Sequence, residues 1–208
     1  MEYFIGKLLI IPGILVGFAL HEFAHAKVAD MLGDDTPRRS GRVTVDPAAH
    51  IDVLGFLMLL IAGFGWGKPV PINENNFKKP VKGSMLVSVA GPLTNLVVAF
   101  ILVLIIKIIV MVNIQFLYSD IGSIIYQILD YAVWINIVLM IFNLLPIPPL
   151  DGFHIASGLF DFRGKGIHYQ IYEKGPIILL ILIVTRATRF IDIPPISFIY
   201  NGLMNLFF

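Results

Sequence analysis

Cysteine is absent from the 208 residues, which excludes disulfides and thiolate metal sites. Charge is scarce too. Asp, Glu, Lys and Arg make up 14% of the chain, against about 25% in a soluble domain. The net charge of +1 leaves no electrostatic footprint for nucleic acid, so no nucleic-acid partner is expected. No soluble stretch is long enough for a separate domain, and no low-complexity linker interrupts the chain. The opening MEYFIGK lacks the small-residue cleavage site of a secretory signal and reads as mature sequence. What remains is 57% hydrophobic, the composition of a chain whose solvent is lipid.

A spanning helix needs roughly 20 apolar residues. Three long segments qualify, at about 4–30, 84–112 and 124–160, the last broken by Pro146, Pro148 and Pro149. Two shorter ones, within about 176–208, are marginal. Between the first two, about 52–70, the apolar run is short and is cut by Gly55, Gly63, Gly65 and Gly67, which suits a re-entrant or hairpin segment. The expected fold is an all-α polytopic bundle in one membrane domain, residues 1–208. Eight Lys and Arg lie between Lys27 and Lys82 and none lies in 113–122. The positive-inside rule therefore places 27–82 in the cytoplasm and 113–122 outside.

Within FALHEFAHAKVAD, His21 and His25 are spaced i, i+4, so both imidazoles leave one face of a helix and can reach one metal ion. Glu22 is rotated by about 100° from His21, placed to take a proton from metal-bound water without being a ligand. This is the H-E-x-x-H pattern of zinc peptidases. Ionisable groups at membrane depth cost about 2.5–3.5 kcal/mol each on insertion scales, and a divalent cation supplies the compensation that three together require.

Two histidines need a further ligand. Asp120 and Asp130 approach the outer face, whereas Asp151 follows the inner end of its helix on the side of His21, which makes it the best third ligand. Its bland alternative is a helix N-cap after the prolines. Asn143 could hold a substrate carbonyl or an oxyanion, or simply tie helix ends together. His154 is a candidate supporting group or spare ligand one turn beyond Asp151, and His50 could line the access path or respond to pH. His168 reads as a cytoplasmic loop residue. In AGPLTN, Gly91 and Pro92 read as a packing joint against the HEFAH helix, with Ala19, Ala24 and Ala26 as its counterpart.

HEFAH followed by NLLPIPPLDG, with AGPLTN, GRVTVDPAAHID and GWGKPVPIN between, resembles the site-2 protease family of M50-type intramembrane zinc metalloproteases, in its small prokaryotic branch. The resemblance implies a three-helix catalytic core and one zinc per chain on His21, His25 and Asp151, with Glu22 as general base. It implies a multi-pass protein of the cell membrane, with its active site toward the cytoplasm and transmembrane proteins or peptides as substrates. Regulated proteolysis and clearance of membrane remnants both fit. The 113–122 loop has no room for the PDZ domain that many members carry there. The competing readings are a metal transporter or a non-catalytic metal-binding membrane protein, and Glu22 argues against transport because a transport site needs no base.

Overall fold

The computed structural model describes residues 2–62 and 65–207, and these contain nine α-helices. They are α1 (Glu2–Met31), α2 (Thr36–Arg39), α3 (Pro47–His50), α4 (Val53–Ala62) and α5 (Pro80–Asn113), followed by α6 (Asp120–Asn143), α7 (Asp151–Leu159), α8 (Gly166–Val184) and α9 (Thr188–Phe207). Among the described residues, four segments are long and apolar enough to cross a membrane: Leu8–Met31, Pro80–Tyr118, Asp120–Asn143 and Gly166–Val184.

Helices α1, α5 and α6 pack against one another pairwise, and α7 and α9 dock onto that trio. Lipid tails are as apolar as leucine, so burying apolar surface does not drive helices together in a membrane, and close approach of small residues must contribute. The G-x-x-x-G of GILVG does this on α1. A Cβ on Gly13 would lie 2.7 Å from the Ala132 Cα of α6, and one on Gly17 would lie 2.8 Å from Asn136 Oδ1. Ala19, Ala26 and Ala29 of α1 are buried as well. Farther out, Ala99, Val103 and Ile106 of α5 interleave with Val133, Ile137 and Met140 of α6, and Ile196 of α9 closes the cluster.

The segment expected at 124–160 is two helices. α6 ends at Asn143, residues 144–150 form a tight turn containing a cis Pro148–Pro149 bond, and α7 starts at Asp151. The prolines cannot donate to a helix ladder, and here the chain leaves it. Gly152 is required by the fold-back, because a Cβ there would strike the Leu144 and Leu145 carbonyl oxygens. The C-terminal third also departs from expectation. α8 begins ten residues before Pro176 and carries that proline inside it, and α9 carries Pro194 and Pro195 inside it. Proline is tolerated in membrane helices because neighbouring groups satisfy the freed carbonyls.

Within 52–70, α4 forms one limb and a non-helical stretch from Gly65 onward the other, and an antiparallel bridge between Ile51 and Gly67 brings their ends together, with Lys68 N–H donating to His50 O at 2.8 Å. Gly55 and Gly65 let the limbs touch: a Cβ on Gly55 would meet Trp66 O, and one on Gly65 would meet Gly55 O. Gly63 lies outside the described residues.

A carboxylate latch fastens the end of α1 to the approach to α5. Asp34, fully buried, accepts from Thr36 N–H (3.1 Å), Thr36 Oγ1 (2.6 Å), Asn73 N–H (2.7 Å) and Asn76 Nδ2 (2.7 Å). Burial alone would raise its pKa, but these donors outweigh burial and hold the carboxyl below its ordinary value. A depressed folded-state pKa stabilises the fold above the unfolded value of about 3.9, and that stability is lost as pH falls through the folded pKa. Asp34→Ala should lower stability by about 1–3 kcal/mol, because buried donors lose their acceptor. Thermal melts across acid pH should show the variant missing the part of the acid-limb loss that belongs to this latch.

Candidate metal centre

α1 brings His21 and His25 to one face, as the i, i+4 spacing dictates, and both are buried against α5. Each ring is held at Nδ1. His21 Nδ1 is 2.6 Å from Asn95 Oδ1, and His25 Nδ1 is 2.7 Å from the Val87 carbonyl oxygen. A carbonyl oxygen only accepts, so both Nδ1 atoms carry the proton, and in the neutral rings that a metal requires both Nε2 atoms then present bare lone pairs.

Those lone pairs converge. The two Nε2 atoms are 2.9 Å apart, and Asp151 Oδ2 lies 3.1 Å from His21 Nε2 and 3.3 Å from His25 Nε2. Asp151 Oδ2 is itself buried without a hydrogen-bond donor. Asp151 does not cap α7: Leu150 holds the N-cap position, and the carboxylate turns to the histidines. Three electron-pair donors facing one another across about 3 Å repel unless a cation sits among them. Tetrahedral zinc with ligands at about 2.0–2.1 Å sets its ligand atoms roughly 3.3 Å apart, close to the triangle observed. These are the described residues grouped tightly enough to share a metal ion. The donor set and its spacing fit zinc.

α5 closes the site from behind. Gly91 faces the two imidazoles directly: a Cβ there would lie 2.5 Å from His25 Nε2 and 2.6 Å from both Nε2 and Cε1 of His21. Glu22 is half-buried one residue along from His21.

The other expected residues are not drawn into this triangle. Asn143, at the end of α6, donates from Nδ2 to Leu139 O in its own helix at 2.9 Å. His50 is fully buried, with Nε2 2.8 Å from Thr44 O and Nδ1 without a hydrogen-bond partner. His154 packs its ring edge-on to Phe153 and Tyr172, and its Nδ1 also lacks a hydrogen-bond partner. His168 is on α8 rather than in a loop, and its ring packs in a three-ring cluster with Phe153 and Tyr172.

Sequence reading missed two groups. Asn95 passed as part of a packing joint and Asn136 as part of an apolar run. Each is an amide inside a spanning helix, where an unsatisfied polar group is costly, and that cost was the available signal. The Val87 carbonyl could not have been found from residue types at all.

Comparison with known proteins follows this geometry. The family model described as Peptidase family M50 matches residues 9–184. "Putative zinc metalloprotease YwhC" of Bacillus subtilis (strain 168) is 37% identical over 194 residues, covering 93% of this chain and 88% of that protein. "Putative zinc metalloprotease Rip2" of Mycobacterium tuberculosis (strain ATCC 25618 / H37Rv) is 32% identical over 149 residues, 70% of this chain and 54% of Rip2. "Putative zinc metalloprotease MJ0611" of Methanocaldococcus jannaschii is 31% identical over 138 residues, 65% of this chain and 62% of that protein. The chain thus spans about half the length of Rip2. No solved structure matches it. The matched span includes all three converging side chains and the glutamate beside them, and the chain belongs to peptidase family M50.

Proposed function

We propose that this M50 peptidase, a zinc metalloprotease, hydrolyses peptide bonds of transmembrane segments near the cytoplasmic face of the cell membrane. One zinc per chain would be held by His21, His25 and Asp151. The observation that carries the reading is the convergence of two bare imidazole nitrogens and an unpartnered carboxylate oxygen, with both histidines inside a membrane-length helix. When bound, zinc supplies a Lewis acid and lowers the pKa of its water to about 7.

Every other role belongs to the chain. Glu22 takes the water proton and returns it to the leaving amide nitrogen, the two halves of general acid–base catalysis. Asn143 can offer its Nδ2 to the substrate carbonyl by leaving its bond to Leu139 O. A substrate helix must be unwound before its backbone can be attacked. The extended limb of the 52–70 hairpin and the irregular 144–150 backbone are the places where such a strand could be held. His50 adjoins the base of the hairpin, where its carbonyl oxygen accepts from Lys68 N–H, and His154 lies on α7, just beyond the 144–150 turn. The Lys and Arg between residues 27 and 82 orient the site toward the cytoplasm.

Reconstitution in liposomes with a single-span substrate tests this. Cleavage within the span should stop on chelation and return with zinc. In cells, an impermeant thiol reagent should label Thr44→Cys and Asn75→Cys only from the cytoplasmic side and Ser119→Cys only from outside. Cleavage indifferent to chelation would sink the mechanism, and inverted labelling would sink the orientation. Metal flux without cleavage would favour transport.

A further inference from the structure

Two asparagines lie fully buried where apolar helices cross, Asn95 on α5 and Asn136 on α6. Their hydrogen bonds can be directed without ambiguity, because the carbonyls at both ends only accept. Asn136 Nδ2 donates to Ala132 O at 2.8 Å, which turns Asn136 Oδ1 toward α5. Asn95 Nδ2 donates to that oxygen at 3.0 Å and to Gly17 O of α1 at 3.0 Å. Asn95 Oδ1 is thereby turned onto His21 Nδ1, 2.6 Å away. The donors run one way, from His21 through Asn95 and Asn136 to the backbone of α6.

We infer that Asn136 is a positioning residue for the metal centre: acting through Asn95, it fixes His21 as the Nδ1–H tautomer with Nε2 bare, although it touches no ligand. If the Asn95 amide flipped, its NH₂ would face His21 Nδ1. The imidazole proton would then move to Nε2, the atom a metal needs. A flip would also set Asn95 Oδ1 against Asn136 Oδ1 and Gly17 O, oxygen against oxygen. Asn136 supplies one of these two penalties and Gly17 O the other. The α1–α6 approach is built around the same contact. A Cβ on Gly17 would sit 2.8 Å from Asn136 Oδ1 and 3.0 Å from Leu139 Cδ1, so only glycine leaves the amide room. An asparagine serving only as glue between helices would need neither this direction nor this link to His21.

The inference rests on the metal reading above, and its test separates the two. Zinc affinity is measured on the purified full chain in detergent by chelator competition, with a thermal melt of each zinc-free variant beside it. Loss of an outer partner of a ligating histidine typically weakens metal binding about 10–100-fold. Asn136→Leu, similar in volume and unable to accept, removes one of the two penalties and leaves Gly17 O in place, so its loss should fall at the low end of that range, about tenfold. Asn136→Asp should stay within about threefold, because burial keeps its carboxyl protonated and shaped like the amide, with O–H toward Ala132 O and C=O toward Asn95. Gly17→Ala should weaken zinc about tenfold from a position that adds nothing against either imidazole, and it serves if Asn136→Leu does not fold. A folded Asn136→Leu or Gly17→Ala protein with wild-type zinc affinity would overturn the inference, even if its melting point had fallen. If wild type itself bound no zinc, the metal reading would fail instead.

Discussion

Replacing Glu22 with Gln should leave the protein folded and zinc-loaded while slowing cleavage of a transmembrane substrate by about 10²–10⁴-fold, the usual contribution of a positioned acid–base group. The separation of the two properties follows from the geometry. The triangle of donor atoms is complete with His21, His25 and Asp151, and Glu22 is not among them. Gln keeps the size of the side chain and removes its ability to take a proton. Metal content and single-turnover cleavage, measured on one preparation, check it. A normal rate would remove Glu22 from the mechanism. Loss of zinc together with activity would make it a ligand rather than a base.

Gly91→Ala is expected to be nearly as damaging, although it adds one methyl group and removes no functional atom. The new Cβ would lie 2.5–2.6 Å from both ligating nitrogens. Neither ring can yield cheaply, since His21 is tied to Asn95 and His25 to the Val87 carbonyl. The ligands must move apart, and misplacement by about 1 Å can cost on the order of 10²-fold in activity. Zinc stoichiometry and cleavage rate should fall together. Gly202→Ala on α9, where an added Cβ meets nothing within 4 Å, is the matched control and should keep both. An active, zinc-loaded Gly91→Ala protein would show that α5 does not press on the ligands.

These two residues mark how far the sequence could be read. His21, Glu22 and His25 were legible because one helix fixes their relation through its period, and no tertiary information is needed. Asp151 was legible because the distribution of charge set the topology and put it at the same depth. Gly91 was seen as a packing joint, and it is one. That it packs against the ligand nitrogens themselves depends on the rotation of α5 about its axis, which no pattern of residue types reveals. The hairpin at 52–70 was foreseen from its glycines, but the bridge between Ile51 and Gly67 is a pairing between residues sixteen apart with no sequence signature. The C-terminal helices were placed within 176–208 as marginal spans, whereas α8 starts at Gly166 and both helices carry prolines inside them.

The two histidines are also exposed to mutation in different ways. His21 leans on a side chain, and any substitution of Asn95 that lacks an acceptor removes its support. His25 leans on a main-chain oxygen, which every amino acid at position 87 would supply alike. Inheritance can erase the first support in one step and the second only by remodelling α5. Among descendants released from selection for proteolysis, position 95 should therefore drift early, while position 87 should vary freely among apolar residues in active and decayed copies alike. Asparagine at 95, rather than the residue at 87, is then the character that would separate working lineages from retired ones.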